Sequence, residues 1–152
     1  MQSLQDRYAP NLRCFGCGPA NERGLRIKSF VEGDQVVAEF EPEPHHEAFT
    51  GMVNGGIIGA LLDCHSNWTA AYTLMQERGL TTPPCTVTAE FHVKLRAPTP
   101  SSERLHLTAK ASEIDGDRVV VEAELHAAGK LTATCRGVFV AVREGHPAYH
   151  RW

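Results

Sequence analysis

Phe49-Thr-Gly-Met-Val-Asn54-Gly-Gly-Ile-Ile-Gly-Ala-Leu-Leu-Asp63, continuing through Cys64-His-Ser-Asn-Trp-Thr-Ala-Ala to Arg78, is the stretch that decides how the chain folds. Thr50-Gly51 marks a turn and Asn54 is a strong helix N-cap; no proline interrupts before Gly79, a natural C-terminal stop. A helix over Gly55–Arg78 would be about 36 Å long. Its first turns, from Gly55 to Leu62, are apolar or tiny on every side, which is the pattern of a buried helix. Into that wall comes a single carboxylate, Asp63. A buried carboxylate is costly unless it is partnered or used. Gly55, Gly56 and Gly59 each weaken the helix by up to about 1 kcal/mol relative to alanine. Their presence makes sense if something must approach the backbone of the helix N-terminus closely.

The 152 residues suffice for one domain with its own core: 42% are hydrophobic, and no 18-residue apolar run is present. A formal charge of −3 with mixed signs and no basic stripe argues against a nucleic-acid surface. No charged, apolar and small-residue succession of the signal-peptide kind opens the sequence, and the expectation is a cytoplasmic protein that neither enters a membrane nor binds nucleic acid. The cysteines stand at 14, 17, 64, 85 and 135, an odd number that suits reduced thiols.

Outward from the helix, residues 1–24 read as an irregular N-terminal segment punctuated by Pro10, Gly16, Gly18 and Gly24. Cys14 and Cys17 invite a zinc reading, but a structural site wants four ligands and no second close pair follows. Cys64-His65 would contribute only if the fold delivered it; the expectation is no metal. Leu25–Phe30 and Gln35–Phe40 are short strands about the turn Glu32-Gly33-Asp34. After the helix, Val87, Ala89, Phe91, Val93 and Leu95 alternate with Thr88, Glu90, His92, Lys94 and Arg96. Three more alternating strands follow, turning at Asp115-Gly116-Asp117 and Ala128-Gly129 and ending near Val142. The domain proper spans 25–142, and 143–152 reads as a polar surface tail. One helix apolar all round cannot be covered by one face of one sheet. The simplest α+β solution is a curved antiparallel sheet around the helix, with a second copy covering the remainder.

Three segments together resemble the acyl-CoA thioesterases of the phenylacetate-degradation type, in the 4-hydroxybenzoyl-CoA thioesterase superfamily. These are Cys14-Phe-Gly-Cys-Gly with Gly24-Leu, Val53-Asn-Gly-Gly-Ile-Ile-Gly-Ala-Leu-Leu-Asp63, and Thr88-Ala-Glu-Phe with Leu95-Arg-Ala-Pro98. The resemblance covers roughly residues 12–142 and implies the hotdog fold. In that family a His-Gly-Gly motif stands nine positions before an acidic residue; here the acid is Asp63 and the histidine position holds Asn54. The family's Ser/Thr on the following strand falls on Thr88. An upstream asparagine used by some relatives would fall on Ala48 and is missing.

Thioester hydrolysis needs a base or nucleophile and donors for the developing oxyanion. Asp63 is the candidate base or nucleophile, and the free N–H of Gly55 or Gly56 at the helix N-terminus is the candidate carbonyl polariser. Gly55 and Asp63 are about 12 Å apart along one helix axis, so they cannot share a carbonyl. Two antiparallel copies about a two-fold axis would bring Gly55 of one to Asp63 of the other. The resemblance implies the same arrangement: a homodimer with shared sites, or a dimer of such dimers. Asn67 is a further candidate for substrate binding, and Lys94 and Arg96 are candidates for coenzyme A phosphates.

Each assignment has a plainer rival. Asp63 could be a structural acid bonded to Ser66 or Asn67; Asn54 could only cap; Thr88 could share a solvated strand face with Glu90, His92 and Lys94. Cys64 is a poor nucleophile beside a carboxylate. His45, His46 and His65 read as ordinary loop and helix residues. No cofactor is implied beyond coenzyme A as part of the substrate. The alternative function is a non-catalytic acyl-CoA or acyl-group binding protein. A hotdog dehydratase lacks the paired histidine and glutamate it would need.

Overall fold

Asn54 ends the extended approach to the central helix, with φ −61° and ψ 135°, and its side chain caps the first turn of α2, Gly55–Glu77. Everything else in the computed structural model, which describes residues 1–152, is placed relative to this helix. Ahead of it lie α1 (Leu4–Tyr8), β1 (Lys28–Glu32), β2 (Gln35–Phe40), a 3-10 turn at Pro44–His46, and a small hairpin of β3 (Glu47–Phe49) and β4 (Met52–Val53). After it come β5 (Thr86–Leu95), β6 (Leu105–Asp115), β7 (Arg118–Ala127) and β8 (Lys130–Ala141). Six strands form one antiparallel sheet in the order β1-β2-β6-β7-β8-β5, so β1 and β5 are its edges. The sheet curves around α2 as the resemblance implies, giving the hotdog architecture.

The alternation in the late strands does what period two requires. Leu105, Leu107 and Ala109 on β6, Val119, Val121, Ala123 and Leu125 on β7, and Ala133, Cys135 and Phe139 on β8 face the helix and are buried. From α2 they meet Ile58, Leu61, Leu62, Trp68, Ala70 and Leu74, also buried. The β7–β8 turn places both Ala128 (φ 50°) and Gly129 (φ 75°) in the left-handed region, the geometry that matches the strand twist in two-residue hairpins.

The two ends of the chain depart from the sequence reading. Residues 1–24 are not wholly irregular: Ser3 caps α1 by accepting from Asp6 N, and Leu4 and Gln5 are buried. The first strand begins at Lys28 rather than Leu25. Arg26 stands at φ 52°, and the N–H groups of Leu25 and Ile27 bond to Phe15 O and Gly16 O, so 25–27 joins the N-terminal loop. A polar core network invisible to local pattern fixes α1 in place. The Gln5 amide accepts from Ser29 N (2.8 Å) and donates to Ser29 Oγ (3.0 Å). Ser29 Oγ in turn meets His65 Nδ1 at 2.8 Å, and His65 Nε2 meets the Val36 carbonyl at 3.0 Å. A carbonyl only accepts, so Nε2 carries the proton and Nδ1 accepts from the serine. His65 is thus a satisfied core histidine tying α1, β1 and β2 to α2, and burial holds its pKa down at about 4. At the other end, the tail does not merely lie on the surface. Trp152 stacks on Trp68 at 4.6 Å between ring centres and donates to Pro83 O, while Arg151 donates to Thr86 O.

Candidate active site at the uncovered start of the central helix

Burial along α2 is uneven. From His65 to Ala71 every residue is buried, whereas Gly55, Gly56, Gly59, Ala60 and Asp63 keep one side open. These positions fall at helical spacing on a single stripe. Over it lies the inner face of β5, where a Cβ on Gly55 would come 3.1 Å from Leu95 Cδ1 and one on Gly59 would come 3.9 Å from Phe91. Phe91, Leu95 and nearby Phe49 remain 42%, 57% and 65% exposed, so the chain leaves an apolar surface open here.

At the helix start, Asn54 Oδ1 accepts from Gly56 N at 2.7 Å and from Ile57 N at 3.2 Å. A Cβ on residue 56 would press to 2.9 Å from that same oxygen, which is why glycine stands there. The first helical N–H, that of Gly55, takes no partner from the chain. A donor backed by the helix dipole therefore points into the open stripe.

Two turns along, Asp63 Oδ1 accepts a 2.7 Å hydrogen bond from Thr88 Oγ1. Period two had placed Thr88 with Glu90, His92 and Lys94. A β-bulge corrects this: the β5–β8 register slips between Thr88 and Glu90, leaving Ala89 unpaired. Before the bulge Thr88 faces the helix, and after it Phe91, Val93 and Leu95 do. Asp63 belongs to none of the ion pairs. Burial pushes its pKa above the ordinary carboxylate value, the Thr88 bond works against that, and a negative Cys14 sulfur adds to the rise. Arg151, farther off, partly offsets it.

The structure thus joins Asp63 with Thr88, and Asn54 with Gly55 and Gly56, as two half-sites on one stripe. It does not bring the other candidates to them. Lys94 and Arg96 line an open groove on the outer sheet face with His92, Lys110 and Arg136, and Arg96 Nε donates to Thr134 Oγ1. Asn67 is buried and donates to Thr86 O at 3.4 Å, fastening α2 to the start of β5. Ser66 Oγ has no partner, so neither residue is the structural mate of Asp63. Two neighbours of the site escaped the sequence. Arg151 arrives from 88 positions downstream with no local signal. Cys64 faces Cys14 at 3.7 Å between sulfurs, so the fold does deliver it to the Cys14/Cys17 loop.

Comparison with known proteins places the chain in a family. The model of the thioesterase superfamily matches residues 50–134, from the turn before α2 to the middle of β8. A thioesterase superfamily protein from Shewanella loihica is 33% identical, with a TM-score of 0.67 over 82% of this chain and 98% of its own. Zebrafish thioesterase superfamily member 2 (21% identity, TM-score 0.67, 81% of this chain and 90% of its own) shares the fold. So does the PaaI protein of the phenylacetic acid degradation operon of E. coli (15%, 0.66, 78% and 81%). Among curated proteins none matches significantly. The chain belongs to the thioesterase superfamily. None of its helices is long and apolar enough to cross a membrane.

Proposed function

We propose that the protein is an acyl-CoA thioesterase that hydrolyses its substrate to a free acid and coenzyme A, working as a homodimer with two shared sites or as a dimer of such dimers. The observation that carries this reading is the pair of half-sites on one uncovered stripe: a carboxylate held by Thr88, and a free amide at a capped helix start. Their separation of about 12 Å along the helix supports assembly from two chains, because no single carbonyl reaches both. The unpaired edge of β5 and the exposed Phe91 and Leu95 beside it supply a surface for that assembly.

In the assembled site, the thioester carbonyl oxygen accepts from Gly55 N–H, which stabilises the negative charge as the carbonyl carbon becomes tetrahedral. Asp63 of the other subunit, oriented by the Thr88 hydroxyl, either deprotonates the attacking water or attacks the carbonyl itself. Both routes need the carboxylate ionised. Burial favours its reactivity, since a desolvated carboxylate is a stronger base than one in water. Asn54 keeps the first turn in shape, a geometric role that the asparagine amide can fill without titrating. A cytoplasmic location goes with this proposal, because an odd set of five cysteines suits a reducing compartment.

The test is thiol release from a panel of acyl-CoAs by wild type and Asp63→Asn. The variant is expected to lose a factor of about 10² to 10⁴ in kcat. Its melting temperature should hold or rise, because burial disfavours the ionised Asp63 that the amide replaces. Near-normal turnover by a folded Asn variant would remove Asp63 from the reaction. A wild type that binds acyl-CoA but hydrolyses none of the panel would leave an acyl-group binding protein in its place.

A further inference from the structure

We propose that Cys14, Cys17 and Cys64 form a binding site for one thiophilic d10 metal ion, zinc(II) or copper(I), which fastens the N-terminal loop to α2. The three sulfurs come from segments fifty residues apart and lie within 4.8 Å of one another, with Cys14 and Cys64 at 3.7 Å. Zinc–sulfur bonds of about 2.3 Å at tetrahedral angles set sulfurs about 3.8 Å apart, so this pair already spans one edge of a coordination tetrahedron.

The loop itself is built for sulfur ligands. In Cys14-Phe-Gly-Cys-Gly18 the backbone amides of Gly16 and Cys17 lie close enough to the Cys14 sulfur to favour its charged form. Gly18 N closes the turn on Cys14 O at 2.8 Å. Amides aimed at a sulfur favour thiolate, the form that binds metal. Gly16 has to be glycine for the third ligand to reach: a Cβ there would stand 2.4 Å from Cys64 Sγ. A Cβ on Gly18 would come equally close to Cys14 N and Leu12 O. Trp68 Nε1 donates to Cys17 Sγ at 3.4 Å, anchoring the second ligand from the helix side.

Binding of the ion would displace the thiol protons of the three ligands to solvent. Cys17 is buried and Cys14 half-buried, so a fourth position for zinc opens on the Cys14 side, where water can serve. Copper(I) accepts three thiolates without a fourth ligand. The expectation of no metal rested on two cysteines without further ligands; the third is Cys64, one residue beyond Asp63.

The experiment loads reduced, oxygen-free protein with zinc(II) or with copper(I), removes excess ion by dialysis, and measures metal by elemental analysis. Wild type and Cys135→Ser, whose cysteine lies outside the cluster, are expected to hold about one ion per chain. Cys14→Ser and Cys64→Ser should hold at least tenfold less under chelator competition. In the wild type, cobalt(II) should give the intense thiolate-to-metal absorption of a three-sulfur site, a readout that needs no variant to fold. A wild type that retains only traces of either metal and shows no cobalt charge-transfer band would overturn the proposal. So would full retention in both serine variants, or a Cys14–Cys64 disulfide in freshly purified protein that reductant and metal together fail to replace.

Discussion

Thr88→Val is the most informative single change, because it removes one oxygen and one hydrogen bond from Asp63 and little else. Two opposed influences set the Asp63 pKa: burial raises it, and the 2.7 Å bond from Thr88 lowers it. A hydrogen bond to a charged group contributes about 1.5–3 kcal/mol where water is excluded. Asp63 is only half-buried, so water can replace part of that, and about 1.4 kcal/mol is a fair value, equivalent to about one pH unit. The sign follows directly. Loss of the bond disfavours the carboxylate, its pKa rises, and the acid limb of kcat/KM moves to higher pH by about one unit. At a pH on that limb the rate should fall about tenfold, while the plateau at high pH falls less. Thr88→Ser keeps the hydroxyl and should restore the wild-type limb. The assay is the pH profile of kcat/KM for the three proteins. If Thr88→Val shows its acid limb at the wild-type pH, the Thr88 bond does not tune the group that reacts, and the pairing loses its role.

Further outcomes follow from the same geometry. Asn54→Ala should lower stability by about 0.5–2 kcal/mol by denaturant titration and reduce activity with it, whereas Asn54→His should retain or raise activity. Full activity and full stability in the alanine variant would leave Asn54 without a function. If sites are shared, mixing an inactive Asp63→Ala chain with a chain disabled at Gly55 should restore part of the activity, since one site of the heterodimer keeps both halves; an active monomer in sedimentation would end that idea. His65 gives acid sensitivity. Its pKa is about 4 in the fold against 6.5 in the unfolded chain, so between these values the unfolded chain binds more protons. The stability from keeping it neutral is complete above pH 6.5 and is lost as pH falls toward 4, on the order of 3 kcal/mol in all. Urea midpoints across that window should fall steeply in wild type and less in His65→Gln.

Much of the architecture could be read from the chain because it is written in local periods. Asn54 before a run without proline fixes where α2 starts, and the alternation through β6, β7 and β8 assigns their buried faces. What could not be read depends on contacts between distant residues. Thr88 looked solvent-facing because a strict period of two carries it there; only the pairing with β8 shows that Ala89 bulges and turns Thr88 inward. Gln5 and Ser29 carry no strong local signal, yet each completes the other's hydrogen bonds and those of His65. The Cys14-Phe-Gly-Cys17 turn seemed to want two more ligands nearby, while its third sulfur waits on the helix fifty residues later.

These observations divide α2 into two parts with different tasks. Its middle, His65 to Ala71, is buried on all sides, and with Leu74 it carries the core residues Trp68 and Ala70, where truncation of the larger side chains costs about 2–5 kcal/mol through lost contacts and cavities. Its first half buries Ile58, Leu61 and Leu62 on one side, while the open stripe on the other is built from residues that stabilise little: glycines that weaken a helix, a carboxylate that burial disfavours, and an N–H left unpaired. Such features persist only where the rest of the fold over-determines them. Here the overdetermination is visible. The Asn54 cap and the His46 carbonyl hold the helix start, the β5 bulge holds Asp63 through Thr88, and the cysteine loop meets the same turn at the next residue, Cys64. That stripe is also a part of the helix left open to solvent. Stability is thus concentrated where the helix is covered, and the residues proposed to react lie where it is not.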